Sequence, residues 1–188
     1  TDNGIGVIKD GKFTKLQNVP LNNSIDKMMT DYQGNLWFTS SRQGVMKIVP
    51  NQFSDIFEKY GLQSRVVNST CMYDNQLFVG TDTGLIVIGK EGIVKEIPLS
   101  KAVSASGEEL NVTDLIEFLD GCRIRSIIRD SKDRIWISTW RKYGLLCYQN
   151  GSLISYNVAD GMPSDRVRAV YEREDGNILA ACTGGVVL

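Results

Sequence analysis

One glycine of a short motif returns at Gly4, Gly44, Gly84, Gly144 and Gly184. A spacing near ~40 residues restricts a chain to repeat architectures. The segments around it read alike. Asp31 to Ser40 is Asp-Tyr-Gln-Gly-Asn-Leu-Trp-Phe-Thr-Ser, and Asp130 to Thr139 is Asp-Ser-Lys-Asp-Arg-Ile-Trp-Ile-Ser-Thr. Tyr73 to Thr81 repeats the pattern with a turn one residue shorter, and Glu174 to Thr183 gives a fourth copy. Each unit is a β-rich run, a polar turn, a hydrophobic triplet, Thr or Ser, then glycine and another β-run.

Four short strands fit within each period. In the third they fall at 124–129, 134–138, 144–148 and 153–156, rich in apolar and β-branched residues and bounded by polar turns. The pairs Asp10-Gly11, Asn150-Gly151 and Asp175-Gly176 suit tight hairpins, which need positive φ. No helical period competes with this pattern. Four antiparallel strands repeated at this interval predict an all-β chain of β-propeller blades. The units are expected around 1–60, 61–97, 121–160 and 161–188, the first and last incomplete, with an insertion at 98–120.

The motif resembles the two-component regulator propeller repeat, whose core is Asp-x-x-Gly-Asn-Leu-Trp-x-Gly-Thr. Asp31, Gly34, Asn35, Leu36 and Trp37 match it, as do Gly144-Leu145 and the run Gly161-Met162-Pro163 leading to Val167. Other copies are degenerate: Phe78 and Leu179 replace the tryptophan, and the glycine before Thr survives only at Gly80. The resemblance covers nearly the whole chain outside the insertion. It implies an extracytoplasmic sensor propeller whose parent protein spans a membrane and carries a histidine kinase or diguanylate cyclase output. It also implies a carbohydrate or other small nutrient as ligand.

The chain has 188 residues and a net charge of −1, so nothing global favours nucleic acid or an anionic membrane. Both ends fall at the same point of the unit, at Thr1 to Gly4 and Thr183 to Leu188. The expectation is therefore an arc of a larger propeller, with exposed edge strands able to self-associate or to meet neighbouring blades. No run is long and apolar enough to span a bilayer, so a membrane would enter only through other segments of the parent protein. Cys71, Cys122, Cys147 and Cys182 lack metal-type or redox-type spacing and read as small buried hydrophobes.

The chain contains no histidine, which removes the Ser-His-Asp and Cys-His arrangements. No phosphate-binding glycine loop is present, and no cofactor or metal is expected. Carboxylate pairs could serve glycoside chemistry, yet Asp31, Asp130, Asp133 and Asp175 sit in turns that favour Asp for local hydrogen bonds. Non-enzymatic binding is the expectation.

Aligning the units on Trp37, Phe78, Trp136 and Leu179 stacks Asp26, Asn68, Arg125 and Arg168 in one column at the start of the first strand. Two residues earlier the column holds Ser24, Val66, Arg123 and Arg166. A period of two sends both to one side, the expected channel mouth. The loop after the Thr position adds Arg42 in one unit and Trp140, Arg141 and Tyr143 in another. An aromatic beside arginines suits sugar stacking or carboxylate recognition. Residues 121–170 hold nine Lys/Arg against four Asp/Glu, so this stretch is locally cationic. The bland alternative is that these arginines only bridge neighbouring blades. Trp37 and Trp136 read as apolar wedges packing blade on blade.

Within the insertion, Val112, Leu115, Ile116 and Leu119 lie at helical spacing, with Asn111 or Thr113 placed to cap a short helix. That segment would serve as a lid or docking element, or is a plain tolerated insertion. Two rivals to ligand sensing stand beside it. One is a dimerisation or interaction platform without small ligand; the other is a lyase or hydrolase acting on polysaccharide.

Overall fold

The computed structural model describes residues 4–49 and 55–188, so 1–3 and 50–54 of the expected first unit lie outside the described residues. The chain forms two compact units, Thr1–Asp55 and Ile56–Leu188.

In the first unit, strands β1 (Gly6–Lys9) and β2 (Lys12–Lys15) form a hairpin. Its turn is Asp10-Gly11, both at positive φ, as a tight primed turn requires. Strands β3 (Ile25–Thr30), β4 (Leu36–Ser40) and β5 (Gly44–Ile48) make an antiparallel sheet in chain order. Phe38 and Met46 oppose each other across β4 and β5 and cluster with Ile5 and Leu21. Alternation along β4 puts the neighbouring Trp37 on the other face. Trp37 is only half-buried and does not wedge into this core, contrary to the expectation.

The second unit opens with a single turn of helix, α1 (Ile56–Lys59), and then a four-stranded antiparallel blade. Its strands are β6 (Val67–Tyr73), β7 (Gln76–Thr81), β8 (Gly84–Gly89) and β9 (Gly92–Val94). The insertion follows, contributing β10 (Lys101–Ser104) and helix α2 (Leu115–Phe118). The next blade contains β11 (Arg123–Arg129), β12 (Ile135–Trp140), β13 (Leu145–Gln149) and β14 (Ser152–Tyr156). After a 3-10 turn at Val158–Asp160 come β15 (Val167–Glu172), β16 (Ile178–Cys182) and β17 (Gly185–Val187). The chain is all-β in these elements, and consecutive strands pair antiparallel within each blade.

The middle blade of this unit is buried on both faces. Ile135, Ile137 and Leu146 point into a cluster with Ile124 of the same blade and Phe78 and Val87 of the preceding one. The alternate positions Trp136, Leu145 and Cys147 point the other way, against Val167, Val170 and Ala180. Trp136 is thus the wedge its sequence position suggested, and period-two alternation explains how one strand serves two cores. All four cysteines are free thiols, Cys122 and Cys147 buried. Burial pushes Cys147 up to about 11, which keeps it an inert thiol.

The recurring glycine has a local reason at two positions. Gly144 has φ 68, and a Cβ there would collide with the Tyr156 carbonyl. Gly84 has φ 141, and its Cβ would meet the Leu119 carbonyl at 3.1 Å.

The insertion adds a strand beside the expected helix. Strand β10 pairs in parallel with β14 and becomes a fifth strand on the outer edge of the middle blade. That covers a row of backbone groups otherwise left open. Helix α2 is capped by Asp114, whose carboxylate accepts from Glu117 N at 2.7 Å, rather than by Asn111 or Thr113. Leu115 and Leu119 are fully buried, which anchors the segment by apolar burial.

Candidate functional site

The first strand of every blade carries the same irregularity. Register shifts fall between Ile25 and Lys27, Val67 and Ser69, Ile124 and Ser126, and Val167 and Ala169. The residues left over are Asp26, Asn68, Arg125 and Arg168, the aligned column of the sequence. A β-bulge inserts one residue and re-aims its side chain. The repeat therefore presents one extra polar side chain at the same point of each blade's first strand.

Asp26, Asn68 and Arg125 meet the residue that lies four positions beyond the aligned aromatic, namely Ser41, Asp82 and Trp140. In the first unit the Asp26 carboxylate accepts from Ser41 N at 2.5 Å. In the second unit Asn68 Nδ2 donates to Asp82 Oδ1 at 2.7 Å and to the Ile124 carbonyl at 2.9 Å. Arg123, from the next blade, brings Nε to 2.9 Å from the same Asp82 oxygen. That is ion-pair distance, but Nε–H is not aligned for a hydrogen bond to it. At this seam, then, a carboxylate bridges two blades. The bland reading of the column holds there.

The following seam differs in one residue type. Trp140 stands where Asp82 stood, and three guanidinium groups lie over its indole. Arg168 is 4.9 Å from the ring centroid, Arg166 5.8 Å and Arg125 5.9 Å. Backbone contacts hold this arrangement: Trp140 bridges Arg166, Arg141 N donates to the Asp165 carbonyl at 3.2 Å, and Thr183 N donates to the Arg166 carbonyl at 2.9 Å. Among the described residues, none of Arg125, Arg166 and Arg168 is paired with a carboxylate. Arg125 Nε is buried and has no hydrogen-bond partner. Each cation–π contact contributes about 0.5–1 kcal/mol at an exposed site, so the ring offsets part of the mutual repulsion without neutralising charge.

The remaining expected site residues fall elsewhere. Tyr143 stacks on Phe118 of α2, centroids 3.9 Å apart, and so belongs to the packing of the insertion. Arg141 is exposed with φ 81, outside the group over the indole. Arg42 is exposed in the first unit, its N–H donating to Ser40 Oγ at 3.2 Å. Asp82 escaped the sequence reading, although it shares Trp140's place in the repeat. A cavity of about 600 Å³ beside the insertion is lined by Arg65, Lys95, Glu96, Asp114 and Glu117 among others. Its mixed charges offer less discrimination than the wholly cationic group at Trp140.

The turn carboxylates have structural partners. Asp130 accepts from Lys132 N, Arg134 N, Arg134 Nε and Trp136 Nε1. Burial pushes this carboxyl up, but those bonds and the Arg134 charge outweigh it and hold it below its ordinary range. Asp31 accepts from Trp37 Nε1 at 2.9 Å and from Asn35, which lowers it likewise. Among the described residues no group of three or more His, Cys, Asp or Glu is placed to hold a metal ion.

The model of the two component regulator propeller family matches residues 119–141, which run from the end of the insertion through β11 and β12. No curated protein sequence matches the chain. Among solved structures, the extracellular domain of a hybrid two component system from B. thetaiotaomicron is 15% identical, with a TM-score of 0.43. That match covers 98% of this chain and 24% of that one. PorZ, a surface component of the type-IX secretion system of Porphyromonas gingivalis, is 14% identical at a TM-score of 0.49, covering 94% and 27%. A virginiamycin B lyase from Staphylococcus aureus is 12% identical at 0.44, covering 95% and 59%. The chain thus spans about a quarter of the first two and under two thirds of the third. No described helix is long and apolar enough to cross a membrane. The segment at 119–141, which supplies Arg123, Arg125 and Trp140, is similar to a two component regulator propeller repeat.

Proposed function

We propose that this chain is a ligand-sensing propeller portion of a bacterial transmembrane signalling protein, acting outside the cytoplasm. The propeller repeat at 119–141 supports the signalling role. The observation that carries ligand binding is the convergence of Arg125, Arg166 and Arg168 on Trp140 with no internal counter-charge. The ligand is a carbohydrate or another small nutrient, and the output is a histidine kinase or diguanylate cyclase in the parent protein. Ligand binding signals only if it distinguishes two arrangements of the sensor. The reading is non-enzymatic: the turn carboxylates are occupied in hydrogen bonds that build the blades.

One observation favours a platform role beside it. On the last blade Ala169, Tyr171 and Val186 share an exposed sheet face opposite its buried cluster. Such a face suits association with another blade or chain.

A thermal-shift panel of neutral and acidic sugars tests the sensor reading, since a ligand of the native state raises its Tm. A rise that disappears in an Arg125→Ala/Arg168→Ala variant supports it. No response to any sugar, with the chain folded, counts against it and leaves the platform.

A further inference from the structure

Two successive seams of the second unit differ by a substitution that the repeat itself performs. At the first, Asp82 supplies a carboxylate to Arg123 of the next blade and accepts from Asn68 of its own. At the second, the same position is Trp140, and the residues that converge on it are Arg166 and Arg168 of the next blade and Arg125 of its own. The bulged position of the leading blade has changed from the amide of Asn68 to Arg125, the bulge of the following blade is an arginine at both seams, and the carboxylate has been lost. Charge rises by one arginine and one missing anion at an otherwise equivalent place.

From this comparison we infer that the Trp140 seam is an oxyanion site, filled by a ligand carboxylate, or a sulfate or phosphate group, where Asp82 fills the preceding seam. The inference rests on the sensor reading and narrows its ligand class from sugars in general to acidic ones. Three further points converge on it. Arg168 already lies 4.9 Å from the indole centroid, so a guanidinium shares the ring face that a neutral sugar would stack upon. The buried Nε of Arg125 has no protein acceptor and gains one when an oxyanion enters. Guanidinium groups bind such oxygens through paired, charge-assisted hydrogen bonds, which also relieves their mutual repulsion.

The test titrates the full 188-residue chain with glucuronate, glucose, inorganic sulfate and inorganic phosphate, at ionic strength matched with sodium chloride. Thermal shift and calorimetry give the readout. Saturable binding of glucuronate or of an inorganic oxyanion, with glucose inert, is expected; the arms separate a sugar acid from a free inorganic ion. Arg168→Gln, an exposed position that leaves the cores intact, should weaken half-saturation about tenfold or more. Trp140→Asp restores the internal carboxylate of the preceding seam and should abolish binding while the chain still melts cooperatively. Equal binding of glucose and glucuronate, unchanged by Arg168→Gln, would overturn the oxyanion site and leave the sensor reading standing. Oxyanion binding unaffected by both substitutions would overturn it as well, by placing the site elsewhere.

Discussion

Arg125 and Arg168 are the bulged residues of neighbouring blades, and both place a guanidinium over the one indole of Trp140, at 5.9 and 4.9 Å. A repeat produces this geometry at little conformational cost. The bulge recurs in each first strand, so exchanging the residue it carries changes the chemistry of a seam without changing its backbone. Asp26, Asn68, Arg125 and Arg168 show four fillings of one mould.

Trp136 Nε1 donates at 2.8 Å to the Asp130 carboxylate, whose side chain is fully buried. Trp136→Phe removes a hydrogen bond to a charged acceptor and should cost about 1.5–3 kcal/mol. Urea denaturation should show this as a lower midpoint with an unchanged slope. Trp37→Phe should cost less, because Trp37 is only half-buried and Asp31 keeps its Asn35 and Gln33 donors.

Gly80 lies where the next blade comes closest: a Cβ there would be 2.5 Å from Ile124 Cγ2, and Ile124 is fully buried. Gly80→Ala should therefore overpack the interface and destabilise the chain by about 1–3 kcal/mol. An accompanying Ile124→Val should recover part of the loss, a coupling that a double-mutant cycle measures.

Ser138 and Thr139 are both fully buried, yet only one hydroxyl has work. Thr139 Oγ1 donates to the Gly144 carbonyl at 2.9 Å and accepts from Tyr143 N at 3.2 Å. Ser138 Oγ has no partner. Ser138→Ala should be neutral or mildly stabilising, whereas Thr139→Val should cost about 1–3 kcal/mol by stranding the Tyr143 N–H, the Gly144 carbonyl keeping the Thr139 N–H. Melting temperatures of the two variants check the contrast.

Stability should respond to acid and not to pH near neutrality. Hydrogen bonds from Trp37 and Asn35 lower Asp31; at Asp130, burial pushes upward, but Trp136 and Arg134 prevail and lower the carboxyl. A depressed folded-state carboxyl stabilises above its unfolded value of about 3.9, and that contribution disappears as pH falls through the folded value. With no histidine in the chain, no side chain of ordinary pKa titrates between pH 6 and 8. Tm should stay level there and fall below about pH 4, less steeply in Trp136→Phe. A step in Tm between pH 6 and 8 would contradict this.

The period was legible because each blade closes its own hydrogen-bond ladder, so strand, turn and glycine recur with local causes. The column Asp26, Asn68, Arg125 and Arg168 was legible for the same reason, as register repeats with the blade. What remained hidden depends on contacts between distant segments. The parallel pairing of β10 with β14 is one example, joining Lys101 to Ser152 with no local signal. The stacking of Tyr143 on Phe118 is another, removing an apparent ligand residue from the site. The role of Asp82 is a third, since it comes from Asn68 of another strand and Arg123 of the next blade.

The most direct measurement is a nitrogen-15 NMR titration with glucuronate that follows the arginine Nε–H signals. Arg125 and Arg168 should shift saturably with one dissociation constant, while Arg123, already paired with Asp82, stays nearly fixed. Uniform small shifts of all arginines, or none at Arg125 and Arg168, would contradict a ligand site at Trp140.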